Sequence, residues 1–193
     1  MIGALKRAVR FCVSPSDEWR VVSREEPRAI PLLGKFVIPL SCIPAGSWAL
    51  GLYLFGPEAV PELARGQASS ITQIAHSASV TFFGSLISVA LLAAALALLA
   101  PLFGRPRALS RAFQVAAYSS APVLLAGVVL VVPTLVFALM VAALHSFFLL
   151  YGGVHYVLGA KEDVAAEFVA LTVMLLILAS SLLGAFGGWL GVV

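Results

Sequence analysis

Charged residues are almost absent from the middle of this chain. Between residues 36 and 160 they occur in only two short clusters: Glu58, Glu62 and Arg65, followed by Arg105, Arg107 and Arg111. The uncharged stretches beside these clusters are longer than a buried element of a water-soluble domain needs. They are long enough to cross the hydrocarbon core of a bilayer. The pattern therefore predicts several transmembrane helices.

The positions of charge, proline and glycine divide the chain into five predicted spans. A transmembrane helix needs about 20 predominantly apolar residues. On this criterion the spans cover residues 33–55, 77–103, 112–132, 135–158 and 164–190. Pro39 and Pro44 predict a kinked or broken first span, because proline removes a backbone hydrogen bond and its ring crowds the preceding turn.

The uncharged stretch 112–160 is too long for a single span. As one helix it would extend about 73 Å at about 1.5 Å per residue, whereas the hydrocarbon core is about 30 Å thick. The chain must therefore reverse direction once, and Pro133 is the predicted corner. We expect the third and fourth spans to be antiparallel neighbours.

Composition supports the same class of protein. The chain is 61% hydrophobic and 11% charged, whereas globular domains are about 45–50% apolar and about 25% charged. The predicted fold class is all-α, a polytopic membrane helical bundle of five transmembrane helices. A short N-terminal segment, residues 1–31, precedes the transmembrane domain, residues 32–193.

Lysine and arginine are distributed unequally between the two faces of the predicted bundle. With five spans, all of them except Arg65 fall on the face that carries the N-terminus. Because basic residues are enriched in cytoplasmic loops, we expect a cytoplasmic N-terminus and an external C-terminus. The alanine-rich, arginine-over-lysine composition is typical of a high-GC bacterium. The expected location is therefore the bacterial cytoplasmic (inner) membrane, with a periplasmic C-terminus.

The first residues form a predicted amphipathic helix. Apolar side chains recur at helical spacing: Ile2, Leu5, Val9, Cys12 and Val13. Basic side chains lie on other faces: Lys6, Arg7 and Arg10. Such a helix is suited to anionic lipid headgroups at a membrane surface. The alternative is a helix that only determines topology. The three cations are candidates for contact with lipid or with a partner.

A second short helix is predicted to follow the first. Ser14 is a suitable N-cap, Pro15 fits the first helical position, and Pro27 ends the helix. Trp19 lies on this helix, and we expect its ring to anchor at the level of the lipid headgroups. Trp19 therefore joins the candidates for membrane or partner contact.

Polar side chains within the predicted spans are candidates for function. His145 and His155 are about 15 Å apart along one helix, which excludes a shared metal site. Each histidine is either neutral and bonded to a neighbouring helix, which we favour, or part of a proton or cation relay. Tyr118 and Ser119 could face the histidines, or they could satisfy carbonyl groups freed by Pro122. We favour the second interpretation.

Gly184 and Gly188 form a small-xxx-small pattern in the last span. This pattern lets helix backbones approach closely, either within the bundle or between protomers.

Sequence motifs for catalysis are absent. The chain contains no HExxH, no Gly-x-Ser-x-Gly and no phosphate-binding glycine loop, and no aspartate falls within a span. We therefore expect no catalytic, cofactor-binding or metal site, no enzymatic activity, and no nucleic-acid partner.

Several short motifs resemble a known family. They are Pro15-x-x-x-Trp19, Ala117-Tyr118-x-x-x-Pro122, Tyr151-Gly152-Gly153 and Ala165-Ala166. In this order they are similar to the motifs of bacterial members of the Yip family. The family as a whole is a group of small five-span proteins known for interacting with Rab GTPases. The resemblance covers nearly the whole chain and implies a non-enzymatic integral membrane protein. Eukaryotic members act in Golgi and endoplasmic-reticulum traffic. Their GTPase partner is not carried over here, because the N-terminal segment is shorter.

Two functions remain as hypotheses. The first is a membrane scaffold or adaptor that acts in membrane organisation or trafficking-like processes by binding itself or another membrane protein. The second is a small transporter or channel subunit with a pathway near His145, His155 and Tyr118. The interrupted first span favours the second hypothesis, since broken helices often mark transport sites.

Overall fold

A computed structural model describes residues 2–56, 71–132 and 135–189, and these residues form helices and connecting turns. The α-helices are α1 (Ile2–Val13), α2 (Pro15–Arg24), α3 (Ala29–Leu32), α4 (Ile38–Phe55), α5 (Ile71–Leu99), α6 (Leu109–Ser119), α7 (Ala121–Ala126), α8 (Ala138–Tyr156) and α9 (Glu162–Trp189). The described residues contain no β-strand, which confirms the all-α fold class.

Five helical segments are long and apolar enough to cross a membrane. They are Ala29–Phe55, Ile71–Phe103, Leu109–Val131, Ala138–Tyr156 and Glu162–Ala185. The number agrees with the prediction. The second segment begins six residues earlier than predicted, at Ile71, because the polar residues before Ser77 continue the helix. The corner predicted at Pro133 and the loop with Glu58 lie outside the described residues.

The first span is irregular but helical throughout. A π-helical turn, Leu33–Val37, joins α3 to α4 directly before Pro39. Proline has no amide proton and its ring crowds the carbonyl group four residues earlier. A wider turn at this point accommodates the ring without breaking the helix. The predicted interruption therefore takes the form of one widened turn.

Spans that follow one another in the chain pack side by side in the bundle. Helices α6 and α7 pack against α8, so the third and fourth spans are neighbours as predicted. Helix α5 contacts α4, α6 and α9. The last span is the least enclosed. Its buried side chains are near its start, where Phe168 stacks on Phe103 with ring centroids 4.6 Å apart.

Two glycines set the distance between the first and third spans. A Cβ atom on Gly51 of α4 would lie 2.7 Å from the backbone oxygens of Leu130 and Val131. A Cβ atom on Gly127, just after α7, would lie 2.7 Å from the Cβ atom of Pro44. Each span thus offers a glycine to the other, and the backbones approach more closely than side chains would allow.

The basic residues gather at one end of the bundle, called the basic end below. The guanidinium of Arg111 donates to the Ser23 carbonyl at 3.2 Å, which joins α6 to α2. The Arg105 guanidinium lies over Gly159, where an added Cβ atom would be 3.3 Å from Nη1. The N-terminal helices, the α5–α6 loop and the α8–α9 loop therefore share this end.

Candidate functional site

Four aromatic side chains join the N-terminal helices to the bundle. They form the aromatic cluster: Phe11, Trp19, Phe36 and Tyr118, all buried. Phe11 stacks on Tyr118 at 4.6 Å between ring centroids and meets Trp19 edge-on at 4.8 Å. Phe36 meets Tyr118 edge-on at 4.9 Å. Such pairs contribute about 0.5–1.5 kcal/mol each beyond the area they bury, so the cluster fixes α1 and α2 in place.

A pair of glycines on α8 forms the floor of this cluster. A Cβ atom on Gly152 would lie 2.8 Å from Cδ1 of Trp19. A Cβ atom on Gly153 would lie 2.9 Å from Cη2 of Trp19 and 2.6 Å from Cγ1 of Val115. The indole therefore occupies a groove that only glycine leaves open. The motifs containing Trp19, Tyr118 and Gly152-Gly153 meet at this point.

Trp19 does not present its ring to lipid. Its side chain is 1% exposed, so the predicted headgroup anchor is instead a buried part of the protein core. The physical reason is the glycine floor, which gives the indole a complementary surface inside the bundle. Gly152-Gly153 is the sequence signal for this contact, but the contact requires helices that are distant in the chain.

Arg7 is committed to interactions inside the protein. Its guanidinium donates to Glu25 Oε1 at 2.7 Å, lies 3.9 Å from Glu18 and sits 4.8 Å from the centroid of the Tyr118 ring. Of the three predicted surface cations, Lys6 and Arg10 are exposed and Arg7 is half-buried. Lys6 and Arg10 therefore remain available for external contacts.

Helix α1 has two apolar faces. The face that packs on the bundle is made of small and aromatic residues: Ala4, Ala8 and Phe11. Four members of the predicted apolar row are exposed, and Cys12 is half-buried; the exposed ones are Ile2, Leu5, Val9 and Val13. Lys6 and Arg10 flank this exposed row, which is called the α1 outer face below.

A cavity of about 950 Å³, called the basic-end cavity below, lies beside α1. It is bounded by α1, by the linker between α2 and α3, by the π-helical turn and by α6. Its rim carries Arg28, Lys35 and Glu26, and its inner wall carries Gln114 and Tyr118. Tyr118 thus contributes one edge to the aromatic cluster and one to this cavity.

A second cavity of about 430 Å³ lies between α5, α6–α7, α8 and α9. Its polar lining is made of serines: Ser85, Ser88, Ser119, Ser120 and Ser146. The Ser120 hydroxyl donates to the Ala116 carbonyl at 2.8 Å, and the buried hydroxyls of Ser119 and Ser146 have no hydrogen-bond partner. Neither the Ser119 hydroxyl nor the Ser120 hydroxyl therefore satisfies the Tyr118 carbonyl that Pro122 leaves without its helical amide.

The two intramembrane histidines occupy different environments. His155 Nδ1 lies 3.0 Å from the Ala160 carbonyl, and its Nε2 lies 4.0 Å from Glu162 Oε1. This places His155 at the corner between α8 and α9. His145 packs near Phe148, and its buried Nε2 has no partner. Neither histidine lines either cavity, so the structure does not bring them together with Tyr118.

Gly184 lies on an open surface of α9. A Cβ atom there would meet nothing within 4 Å, so this glycine makes no close helix contact within the bundle. Gly188 is part of α9, but its surroundings lie beyond the described side chains.

Across residues 2–56, 71–132 and 135–189, no group of three His, Cys, Asp or Glu side chains is placed to hold a metal ion.

Comparison with known proteins agrees with the fold and the motifs. The family model described as the Yip1 domain matches residues 10–184, from the last turns of α1 to α9. Neither the curated proteins nor the solved structures include a significant match. The matched range contains Trp19, Tyr118 and Gly152-Gly153, together with all five apolar spans. The chain therefore belongs to the Yip1 family of integral membrane proteins.

Proposed function

We propose that the protein is a non-enzymatic membrane scaffold or adaptor that binds a second copy or another membrane protein at its basic end. The observation that carries this proposal is the α1 outer face. The aromatic cluster holds α1 and α2 against the bundle, yet Ile2, Leu5, Val9 and Val13 remain outside.

The chemistry of this face defines what it can bind. An exposed apolar row is typical of a surface that contacts protein or membrane. Lys6 and Arg10 beside it favour an acidic protein surface or anionic headgroups. Because α1 is already docked, binding does not require its helix to be ordered, which lowers the entropic cost of association.

The same proposal includes the orientation of the protein in the membrane. The basic end carries every lysine and arginine except Arg65, and such a bias favours the cytoplasmic side. We therefore place the α1 outer face in the cytoplasm of a bacterium, at the inner membrane.

Neutralising the exposed cations is expected to weaken the proposed association. In the double variant Lys6→Gln/Arg10→Gln we expect roughly tenfold or greater loss of binding, since each cation near an anionic surface contributes about 1 kcal/mol. Folding should persist, because the ion pair that this variant removes, Arg10 with Glu18 at 3.9 Å, is long and Glu18 keeps its contact with Arg7, so the loss is small. Photo-crosslinking from position 9 in native membranes measures the association.

Arg107→Gln is the matched control, because it removes an exposed cation of the α5–α6 loop at the same end. Its crosslinking should equal that of the natural protein. Absence of any crosslinked protein in the natural sequence, or equal crosslinking in the double variant, would contradict the proposal. Deleting residues 1–28 is a poorer test, because it removes Phe11 and Trp19 from the core.

A small transporter or channel subunit is the second candidate function. The observation that favours it is the position of α6 between the two cavities. Tyr118 lines the basic-end cavity, and the adjacent Ser119 lines the second cavity, whose polar lining is made of serines. A pathway along α6 would pass these two residues and not the histidines.

Flux through proteoliposomes tests this alternative. If the protein transports a polar solute along α6, Tyr118→Phe and Ser119→Ala should each reduce flux severalfold, whereas His145→Ala and His155→Ala should leave it unchanged. Ser119→Ala removes an unpartnered buried hydroxyl, so it is not expected to destabilise the fold. Flux that does not exceed that of empty vesicles would reject the transport function.

A further inference from the structure

We propose that the basic-end cavity binds the headgroup of a phospholipid that carries both a phosphate and a primary ammonium, as phosphatidylethanolamine does. This inference does not depend on the scaffold function. It rests on the position of the cavity, on the charges at its rim and on one buried acceptor in its wall.

The cavity lies where the first span begins. Pro31, Gly34 and Lys35 form part of its lining, and all three are exposed. A Cβ atom on Gly34 would meet nothing within 4 Å, so this side is open. Because the same residues start a membrane span, the opening lies at the depth of lipid headgroups. A lipid can therefore enter from the bilayer without leaving it.

The charges of the cavity suit a headgroup with both signs. Arg7 is paired with Glu25 at 2.7 Å, and Arg28 is paired with Glu26 at 2.8 Å. Among the described residues Lys35 makes no ion pair, so its ammonium is available for a phosphate. The two carboxylates keep the cavity from being uniformly basic and can accept hydrogen bonds from an ammonium.

The inner wall presents an acceptor without a donor. Gln114 is 3% exposed, lines the cavity, and its Oε1 has no hydrogen-bond partner. A buried acceptor of this kind is unfavourable until a donor reaches it. A primary ammonium carries three N–H donors, whereas the trimethylammonium of phosphatidylcholine carries none. Gln114 therefore distinguishes between two zwitterionic headgroups of equal charge.

The distances along the helices are consistent with one headgroup. Gln114 is five residues beyond the start of α6 at Leu109, and Lys35 is six residues beyond the start of the first span at Ala29. At about 1.5 Å per residue the two therefore lie at similar depths below the basic end. A headgroup lying across the cavity could place its phosphate at the exposed Lys35 and its ammonium toward the buried Gln114. The cavity volume of about 950 Å³ also leaves room for the glycerol and for ordered water.

Native mass spectrometry of the delipidated full-length protein tests the assignment. The probes are phosphatidylethanolamine, phosphatidylcholine and phosphatidylglycerol with identical acyl chains, together with soluble phosphoethanolamine. We expect phosphatidylethanolamine to bind at least roughly tenfold more tightly than phosphatidylcholine, because only the former satisfies Gln114 with a charge-assisted hydrogen bond.

Other outcomes overturn the proposal in distinct ways. Equal binding of the three lipids shows only a non-specific lipid shell. Tighter binding of phosphatidylglycerol shows an anion site without an ammonium contact. If soluble phosphoethanolamine binds as tightly as the lipid, the ligand is a free phosphate ester and not a membrane component.

Variants locate the site. Lys35→Ala and Gln114→Leu should each reduce retention of phosphatidylethanolamine by roughly tenfold, and Gln114→Leu should also abolish the preference over phosphatidylcholine. Gln114→Leu keeps a similar volume and removes an unpartnered polar group, so folding should be preserved. Lys161→Ala is the control, since Lys161 is exposed at the same end but does not line the cavity. Unchanged retention in both cavity variants would disprove the site.

Discussion

Replacing Trp19 with alanine is expected to lower the free energy of unfolding by about 3–5 kcal/mol, the range typical of large aromatic side chains removed from a core. The indole is 1% exposed and contacts Phe11, Tyr118 and the Gly152-Gly153 floor. The floor of the groove is made of glycines, so it has no side chain of its own to fill the space that the indole leaves. We therefore also expect α1 and α2 to separate from the bundle before the spans unfold.

Cys12 provides a local measurement of this separation. It is a free thiol on α1, and burial raises the pKa of the Cys12 thiol. Release of α1 removes that burial, so the pKa returns toward its ordinary value and more thiolate is present near neutral pH. In a Cys42→Ser background, labelling by a polar maleimide should become faster in Trp19→Ala. Thermal unfolding in detergent should shift downward in the same samples.

Val21→Ala is the matched control for this experiment. Val21 lies on the same helix but is exposed, so its truncation should change neither the unfolding temperature nor the labelling of Cys12. If Trp19→Ala behaved like Val21→Ala, the aromatic cluster would not be what holds the N-terminal helices.

Adding a single methyl group at Gly51 is the second change with a large expected effect. In Gly51→Ala the new Cβ atom would lie 2.7 Å from two backbone oxygens of the third span. Backbone cannot rotate away as a side chain can, so α4 must move as a whole. Overpacking typically costs about 1–3 kcal/mol, occasionally more. We expect the upper part of this range, measured as a lower unfolding temperature and a loss of monodisperse protein in detergent.

Gly46→Ala separates this effect from helix propensity. Gly46 is on the same helix, and a Cβ atom there would meet nothing within 4 Å. Since alanine is a better helix former than glycine by about 1 kcal/mol, Gly46→Ala should be neutral or stabilising. Similar losses in both variants would mean that the contact between the first and third spans is not the cause.

The span pattern could be predicted because lipid imposes it locally. A stretch without charge and about 20 residues long is sufficient to identify a span, and the basic residues indicated which loops share a face. The irregularity of the first span could also be predicted in part from the sequence. Pro39 predicted an irregularity, but its form as a widened turn depends on how the neighbouring helices pack.

The docking of α1 and α2 could not be predicted from their own sequence. The apolar residues Leu5 and Val9 predicted a face for the membrane surface, but they gave no indication that the face with Ala4 and Ala8 packs on the bundle. Small residues give a weak hydrophobic signal, yet they allow α1 to approach closely. Glu25 accepts the hydrogen bond from Arg7, a contact that the sequence of neither helix indicates by itself.

The basic-end cavity could not be predicted from the sequence, for a related reason. Lys35 and Gln114 come from different spans, and neither belongs to a recognisable motif. Their proximity follows from the packing of α3 and the π-helical turn against α6. An amide in an apolar segment signals some polar contact, but only the fold shows that Gln114 lines a cavity and that its acceptor has no partner.

The glycine floor beneath Trp19 also imposes an order on biogenesis. The indole is synthesised before the five spans, but Gly152 and Gly153 come only with the fourth span. Trp19 therefore lacks its floor while the first three spans insert, although Tyr118 of the third span already offers Phe11 a stacking partner. During that interval the indole needs another apolar surface, such as lipid or an insertion factor. The indole can dock in its groove only after the fourth span has inserted.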